Sequence, residues 1–492
     1  MMHGAEKSDS SIVATKSANK PGSPGAELTE RREGTKENTG ESPASRTLRR
    51  EIATGGLDRV RQAARGNKKE RFTALLHHVT VDLLWQAYQW LKRNAAPGVD
   101  GVTWYDYEEN LEAKLTDLHT RVHRGSYHPL PSRRKYIAKP DGRQRPLGIA
   151  ALEDKIVQRA VVEVLSAIYE QDFLGFSYGF RPGRGQHDAL DALAVGISQR
   201  HVNWILDADI AAYFDTVSHD WMLRFLEHRI GDRRLLRLIS KWLKAGVMEE
   251  GVVTAAETGT PQGAVVSPTL ANVYLHYVFD LWAHRWRQHQ AWGEVILVRY
   301  ADDMVVGFEH EGTAKRFLAE LRQRMEKFAL SLHPDKTRLI AFGRYAAERR
   351  AERGLGKPET FNFLGFTHIS GRTQKGRFLL IRKSRRDRMR AKLRAIKEEL
   401  RRRMHDPIPQ QGQWLRQVVR GYFAYHAVPT NIRSLAAFRY FVGRLWLKAL
   451  RRRSQKDRFP WDRLTRLAAE WLPSPRILHP WPDARFAVNH PR

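Results

Sequence analysis

The most informative segment of the chain reads Val295-Ile-Leu-Val-Arg-Tyr-Ala-Asp-Asp-Met-Val-Val-Gly-Phe308. Two apolar runs of strand length flank Tyr300-Ala-Asp-Asp303, which predicts a strand, a tight turn and a second strand. On a regular strand neighbouring side chains point to opposite faces, so only a turn lets both carboxylates approach one ion. Burying such a pair costs several kcal/mol unless a cation is close. We therefore predict that Asp302 binds a metal ion and that Asp303 assists it; a solvated turn is the alternative.

A second predicted strand carries a matching carboxylate. It lies in Trp204-Ile-Leu-Asp-Ala-Asp-Ile-Ala-Ala-Tyr-Phe-Asp215, where Asp209 follows an apolar run. Phosphoryl transfer at two metal ions needs carboxylates that hold the cations roughly 3.5–4 Å apart, so that one ion activates the attacking hydroxyl and the other stabilises the leaving oxygen. Asp209, Asp302 and Asp303 would supply these ligands. Two unrelated structural clusters of aspartate are the alternative.

Seven sequence blocks between about residues 70 and 370 occur in the order found in reverse transcriptases. Asp209-Ile210 with Phe214-Asp215 resembles motif A, and Tyr300-Ala-Asp-Asp303 resembles motif C. The other blocks are Ala96-Pro-Gly-Val-Asp-Gly-Val-Thr103, Ile137-Ala-Lys-Pro-Asp-Gly-Arg-Gln-Arg-Pro-Leu-Gly148, Ser177-Tyr-Gly-Phe-Arg-Pro-Gly-Arg184, Gly259-Thr-Pro-Gln-Gly-Ala-Val-Val-Ser-Pro268 and Phe363-Leu-Gly365. Together they resemble the reverse transcriptase/maturase encoded within bacterial group II introns.

The resemblance implies an α+β fold, a right-hand polymerase with an antiparallel palm sheet, followed by an all-α thumb. Residues 69–370 would form the fingers and palm, and residues 371–455 the thumb, which is also the maturase (X) domain. Residues 1–68 contain no aromatic side chain, so we predict a disordered tail that cannot bury enough apolar surface. Residues 456–492 resemble the short tail of relatives that lack a His-Asn-His endonuclease, and the chain has no cysteine to staple one.

The resemblance also assigns roles in catalysis. Two Mg²⁺ ions would be held by Asp209, the carbonyl of Ile210, Asp302 and Asp303, because hard cations prefer oxygen ligands. Lys336 matches a lysine proposed to protonate the leaving pyrophosphate; an ordinary surface lysine is the alternative.

Four further positions are implied to bind the incoming nucleotide. Lys139 and Arg145, on a predicted basic hairpin, would contact its phosphates, and a solvated hairpin is the alternative. Phe214 would exclude a 2′-hydroxyl, although a core aromatic would fit the same pattern. Gln262 would lie against the template–nucleotide pair, where Gly263 allows close backbone approach.

The charge of the chain favours a nucleic-acid partner. Its formal net charge is +30 and its pI is about 10.4, and such a field attracts polyanions. Residues 372–403 hold fifteen Lys and Arg against three Asp and Glu, and three basic helices are predicted beyond residue 370. Candidate RNA contacts are Arg385, Arg386, Arg451, Arg452 and Arg453, with a solvated charged bundle as the alternative. The absence of cysteine fits a reducing cytoplasm, and no apolar run indicates a membrane span. The resemblance implies that this cytoplasm is bacterial, with the protein near the nucleoid.

The sequence thus predicts an RNA-directed DNA polymerase with Mg²⁺ as cofactor. Its expected partners are deoxynucleotides, an RNA template with a DNA primer, a group II intron RNA whose splicing and retrohoming it assists, and target DNA. Two alternatives remain. One is a domesticated relative that makes cDNA for defence or repair, and the other is an RNA-binding splicing factor without polymerisation.

Overall fold

The computed structural model describes residues 43–138, 144–255, 257–453 and 459–489. Its strands are β1 (Ser132–Ala138), β2 (Gln144–Ile149), β3 (Trp204–Asp209), β4 (Val247–Glu249), β5 (Val252–Thr254), β6 (Val295–Tyr300), β7 (Asp303–Phe308), β8 (Arg338–Ala341), β9 (Thr360–Phe363), β10 (Phe366–Arg372) and β11 (Phe378–Ser384).

The helices of the N-terminal half are α1 (Pro43–Gly66), α2 (Val81–Trp90), α3 (Trp104–Glu108), α4 (Leu111–Arg124), α5 (Leu152–Asp172), α6 (Gln186–Gln199), α7 (Tyr213–Thr216), α8 (His219–Glu227) and α9 (Arg233–Lys244). Those of the C-terminal half are α10 (Ser267–Leu275), α11 (Leu281–His289), α12 (Glu311–Lys327), α13 (Ala346–Glu352), α14 (Arg386–Arg402), α15 (Ile408–His426), α16 (Ile432–Arg451), α17 (Trp461–Trp471) and α18 (Pro482–Asn489). A π-helical turn over His276–Asp280 joins α10 to α11.

The central sheet has the strand order β6-β7-β3-β8, and every pair in it is antiparallel. Its strands are apolar on both faces because both faces are covered. Leu297 and Val306 pack in one core with α5, α10 and α12. Ile296 and Val305 pack in a second core with α6 and the sheet of β9, β10 and β11. The strand, turn and strand predicted around Tyr300-Ala-Asp-Asp303 are therefore present, as β6 and β7.

A second four-stranded sheet carries the predicted basic hairpin. Its strand order is β2-β1-β4-β5, with β1 antiparallel to β2 and parallel to β4. The register pairs Ile137 with Arg145, which agrees with the strand–turn–strand prediction. The turn itself, residues 139–143, lies outside the described residues.

The predicted disordered tail over residues 1–68 is wrong in its last third. Residues 43–66 form α1, and Leu57, Val60 and Ala64 are buried in the same core as α2 and α5. Spacings of three and four residues place these side chains on one helix face. Charged residues and glycine surround these apolar positions, so the average composition of residues 1–68 gives no indication of the helix. Residues 1–42 lie outside the described part of the chain.

The predicted domain boundary between residues 370 and 371 divides a strand. β10 continues to Arg372, β11 follows as its antiparallel partner, and helical structure resumes only at Arg386. The many cations after residue 370 suggested a helix. Every second side chain of β11, at Leu380, Arg382 and Ser384, is nevertheless buried, which is the period of a strand.

The C-terminal helices have a core of their own. It includes buried side chains of α14, α15 and α16, such as Leu400, Leu415 and Trp446. The predicted tail over residues 456–492 contributes to it, since Leu464 of α17 is buried there, while α18 packs on α6. The described part of this range, residues 459–489, thus contains two helices that pack on the rest of the chain. Among the described residues, no helix combines the length and apolar character that crossing a membrane requires.

Candidate active site

The structure brings the three predicted metal-binding aspartates to one end of the central sheet. Asp209 is the last residue of β3, and its Cα is paired with that of Asp303, the first residue of β7. Asp302 precedes it in the turn that joins β6 to β7, where Tyr300 is paired with Asp303. The pairing of two antiparallel strands therefore fixes how these carboxylates face one another.

A close backbone contact holds the turn of Ala301 and Asp302. Ala301 has a φ of 55°, in the left-handed region that a side chain disfavours. Gly179 lies directly against it, and a Cβ at position 179 would come within 2.3 Å of the Ala301 amide nitrogen. Glycine is therefore required at position 179 if the turn is to stay where it is.

The side chain of Arg299, the fifth residue of β6, is bonded to the same turn. Its side chain is 0% exposed and binds both carboxylate oxygens of Asp280, at 2.7 and 2.5 Å. It also donates to the Ala301 carbonyl at 3.0 Å, to Oδ1 of Asn272 at 3.1 Å and to Oγ of Ser177 at 2.7 Å. These acceptors compensate for the hydration that a buried guanidinium loses. The sequence analysis missed the network, although an arginine inside an apolar strand was a signal for it.

Negative charge accumulates around the carboxylates. Burial raises the pKa of Asp302, and the nearby Asp209 carboxylate raises it further. Loss of hydration, added to the charges of Asp302, Asp209 and Asp207, raises the pKa of Asp303 to about 7. Burial also raises the pKa of Asp207, two residues before Asp209, to about 6. Anions crowded in this way attract a cation.

Lys336 already provides one positive charge at this position. Residues 331–333 run beside the end of β3, with hydrogen bonds from the Ala211 amide to the Ser331 carbonyl at 2.9 Å and from the His333 amide to the Asp209 carbonyl at 2.8 Å. Three residues later, the Lys336 ammonium contacts Oδ2 of Asp209. The predicted catalytic lysine and the predicted metal ligand are therefore direct neighbours.

The donor set fits a hard divalent cation in its chemistry. Carboxylate oxygens from two adjacent strands are the ligands that Mg²⁺ prefers. Loss of hydration, followed by the neighbouring carboxylates, raises the pKa of Asp302 and Asp303, and a cation would stabilise their charged forms. In the parts of the chain that the structure describes, no three His, Asp or Glu side chains are already grouped as a metal site. A cation bound at Asp209 would compete with the Lys336 ammonium for its carboxylate.

The predicted nucleotide-binding residues lie on connected segments next to the carboxylates. Phe214 is half-buried on α7, and its carbonyl accepts a hydrogen bond from the Thr260 amide at 2.7 Å. The same loop continues to Gln262, whose carbonyl accepts from the Gly148 amide of β2 at 2.7 Å. Arg145, exposed on β2, is close enough to lower the pKa of Asp302. Lys139 lies outside the described residues.

The predicted RNA-binding arginines lie elsewhere and differ in their surroundings. Arg385 binds the carboxylate of Asp387, at 3.0 and 2.5 Å. Arg451 donates to the Phe459 carbonyl at 2.9 Å, and Arg453 donates to the Asp406 carbonyl.

Arg386, Arg451 and Arg452 are exposed. Since Arg451 and Arg453 also hold the carbonyl groups of Phe459 and Asp406, Arg386 and Arg452 are the better candidates for RNA contacts.

Comparison with known proteins agrees with this geometry. The family described as reverse transcriptase (RNA-dependent DNA polymerase) matches residues 137–368, a range that contains both aspartate-bearing strands. Protein YkfC of Escherichia coli is 36% identical over 276 residues, which is 49% of this chain and 72% of that protein.

Two intron-encoded proteins are similar over a shorter part of their length. Group II intron-encoded protein LtrA of Lactococcus lactis is 36% identical over 222 residues, which is 45% of this chain and 37% of that protein. A 91 kDa protein in the cob intron of Schizosaccharomyces pombe is 33% identical over 221 residues, which is 44% of this chain and 27% of that protein. The chain thus spans well under half the length of either.

Proposed function

This chain belongs to the family of group II intron reverse transcriptases and maturases, and we propose that it polymerises DNA on an RNA template and binds an intron RNA to assist its splicing and retrohoming. The observation that carries the polymerase half is the pairing of Asp209 with Asp303 across β3 and β7, with Asp302 in the adjoining turn. Three carboxylates at one sheet end suit a reaction in which negative charge develops on phosphate.

Divalent cations are the implied cofactor. Asp209, the Ile210 carbonyl, Asp302 and Asp303 would hold them. When bound, two such ions activate the primer hydroxyl and stabilise the leaving oxygen. Arg299 contributes by holding the Ala301 carbonyl, which keeps Asp302 and Asp303 in one position.

The remaining side chains act on the nucleotide and the leaving group. Arg145 neutralises charge on the triphosphate as pyrophosphate departs. Lys336, held beside Asp209, would give a proton to the departing pyrophosphate. Phe214 lies under the sugar and excludes a 2′-hydroxyl, and Gln262 contacts the template–nucleotide pair.

Binding of intron RNA draws on a different part of the chain. A net charge of +30 supports affinity dominated by phosphate contacts, which weaken steeply with salt. The basic helices α14 and α16 carry Arg386 and, just past the end of α16, Arg452, both of them exposed. The aspartates repel phosphate, so RNA binding to these helices does not require them.

One variant tests both halves of the proposal. Asp302→Asn removes charge at nearly constant shape, so primer extension on an RNA template should fall by several orders of magnitude, since one metal-binding carboxylate is worth several kcal/mol. Asp215→Asn is the matched control, because Asp215 is exposed beside the site but outside the triad. It should extend the primer as the wild type does. An Asp302→Asn protein that remains within tenfold of wild type would remove the triad assignment.

The same protein is then assayed for splicing of the intron RNA that flanks its reading frame, at low salt. Since the substitution makes the cleft less negative, RNA binding and splicing should persist. Loss of splicing together with extension, or a wild-type protein that does not promote splicing, would leave the polymerase half alone.

A further inference from the structure

Phe180 is an exposed aromatic residue in an unfavourable backbone conformation. Its φ is 58°, a value that glycine or asparagine adopts readily and a bulky side chain does not. The residues around it in sequence are buried: Ser177 is 0%, Tyr178 1% and Arg181 7% exposed, whereas Phe180 is 50% exposed. The loop therefore turns one large ring outward at a cost in backbone energy.

The loop is fixed on both sides of this ring. Before it, the Tyr178 amide donates to the Arg299 carbonyl of β6 at 2.9 Å, and Asn272 donates to the Gly179 carbonyl at 2.7 Å. After it, the Arg181 guanidinium donates to the Ser177 carbonyl at 2.8 Å. Three anchors thus impose the conformation of Phe180.

The backbone anchors do not depend on an aromatic side chain at position 180. The anchors are backbone groups and the neighbouring residues, and the only ring contact recorded for Phe180 among the described residues is with Tyr300, at a centroid distance of 6.4 Å and an angle of 46°. Glycine would form the same backbone at lower cost. Strain that persists at a site without structural benefit points to a role in binding.

The position of the Phe180 ring in the fold indicates which ligand it contacts. The loop is bonded to β6, the edge strand of the central sheet, whereas Asp209 and Phe214 belong to β3 and its continuation, on the other side of β7. In the proposed function the incoming nucleotide lies on the side of Phe214. The paired strands must then leave on the other side of the carboxylates.

We propose that Phe180 contacts the sugars and base edges of the template–primer duplex next to its reacting end. This inference rests on the proposed polymerase function. The ring presents an apolar surface beside Tyr300, two residues before the carboxylate of Asp302, and burying it against the duplex would hold the primer end in register with the metal-binding residues. The ligand is paired nucleic acid with a recessed primer end.

The test measures binding and stability together. Phe180→Gly and Phe180→Asn are prepared in the full chain, with Ala329→Gly as the matched control, because Ala329 is exposed and also has a positive φ, 55°. Fluorescence anisotropy gives the affinity for a DNA primer annealed to an RNA template and for the template strand alone. Thermal unfolding gives Tm, and primer extension is recorded on the same preparations.

Both Phe180 variants should bind the recessed duplex about tenfold more weakly, which corresponds to about 1.4 kcal/mol. Their affinity for the single strand should be unchanged, and their Tm unchanged or raised since strain is relieved. Ala329→Gly should leave both affinities at the wild-type value.

Three results would overturn the inference: wild-type affinity for the duplex, an equal loss for duplex and single strand, or a lowered Tm in both variants. The first two exclude a contact to paired strands, and the third makes the ring structural. Failure of the wild type to extend any primer would instead contradict the proposed function, and the binding contrast decides on Phe180 independently.

Discussion

The buried ion pair of Arg299 and Asp280 allows the stability of the fold to be separated from the position of the catalytic turn. Both side chains are 0% exposed, and five hydrogen bonds from the guanidinium reach Asp280, Asn272, Ser177 and the Ala301 carbonyl. Only the bonds to Ala301 and Ser177 touch the segments that shape the active site. Three variants are therefore compared: Asp280→Asn, Arg299→Met, and the double variant Arg299→Met with Asp280→Leu.

The burial of this ion pair determines the expected changes in the free energy of unfolding. Asp280→Asn keeps the shape but leaves a buried guanidinium without its counter-charge, which should lower the free energy of unfolding by about 3–5 kcal/mol. Arg299→Met should cost a similar amount, since it isolates the carboxylate. In the double variant no charge is left, and replacing such a pair by apolar side chains is often nearly neutral, so most of the stability should return.

Primer extension by the double variant should not recover with its stability. In the double variant the Ala301 carbonyl and the Ser177 hydroxyl still lack their donor, so the turn that carries Asp302 shifts. A displacement of about 1 Å can reduce a rate on the order of 100-fold. The assay is urea unfolding beside primer extension, normalised to the folded fraction.

A control is the buried carboxylate of Asp191 on α6, which is 2% exposed and pairs with Arg382 and Arg485 but makes no bond to Ala301 or Ser177 among the described residues. Asp191→Asn should lower stability comparably, while the folded fraction extends primers normally. Recovery of extension in the double variant, or a cost below 1 kcal/mol for Asp280→Asn, would refute the reasoning.

Two further substitutions test neighbouring contacts. Phe214→Ala should open space beneath the sugar and raise incorporation of ribonucleotides relative to deoxyribonucleotides, measured by competition; unchanged selectivity with good activity would leave Phe214 a packing residue. Gly179→Ala places a methyl group 2.3 Å from the Ala301 amide nitrogen, so extension should fall on the order of 100-fold. Gly421→Ala, in the interior of α15 with no atom within 4 Å of the added Cβ, should leave activity unchanged and raise stability by about 0.5–1 kcal/mol, because alanine favours a helix over glycine. Equal activity of the two alanine variants would exclude a steric role for Gly179.

The strands that carry the carboxylates could be predicted from the sequence because their information is local. Two apolar runs around Tyr300-Ala-Asp-Asp303 specify a hairpin, and the resemblance to reverse transcriptases placed Asp209 beside it. The register that pairs Asp209 with Asp303 is a property of two strands separated by about ninety residues. The residue spacing within either strand does not specify this register.

The contacts that support the site could not be predicted, for the same reason. Arg299 was visible as a cation in an apolar strand, but its partners Asp280, Asn272 and Ser177 come from two other segments. The left-handed backbone of Phe180 is likewise imposed by its neighbours, since the residue itself disfavours it. The helix α1 was missed because three buried side chains in a polar stretch are a weak pattern until α5 is there to cover them.

The position of the acidic cluster within a strongly basic chain has a consequence for how nucleic acid is held. Phosphates repel the carboxylates of Asp209, Asp302 and Asp303, so a primer end stays beside them only when cations stand between. The basic helices bind phosphates directly and release counterions as they do so. Removing divalent cations with a chelator should therefore weaken binding of a recessed primer end while leaving intron RNA bound, whereas added monovalent salt should release both, as filter binding would measure. If chelation released the intron RNA in a preparation whose RNA remains folded, the RNA contacts would lie in the cleft and not on α14 and α16, and polymerisation and RNA binding would share one site.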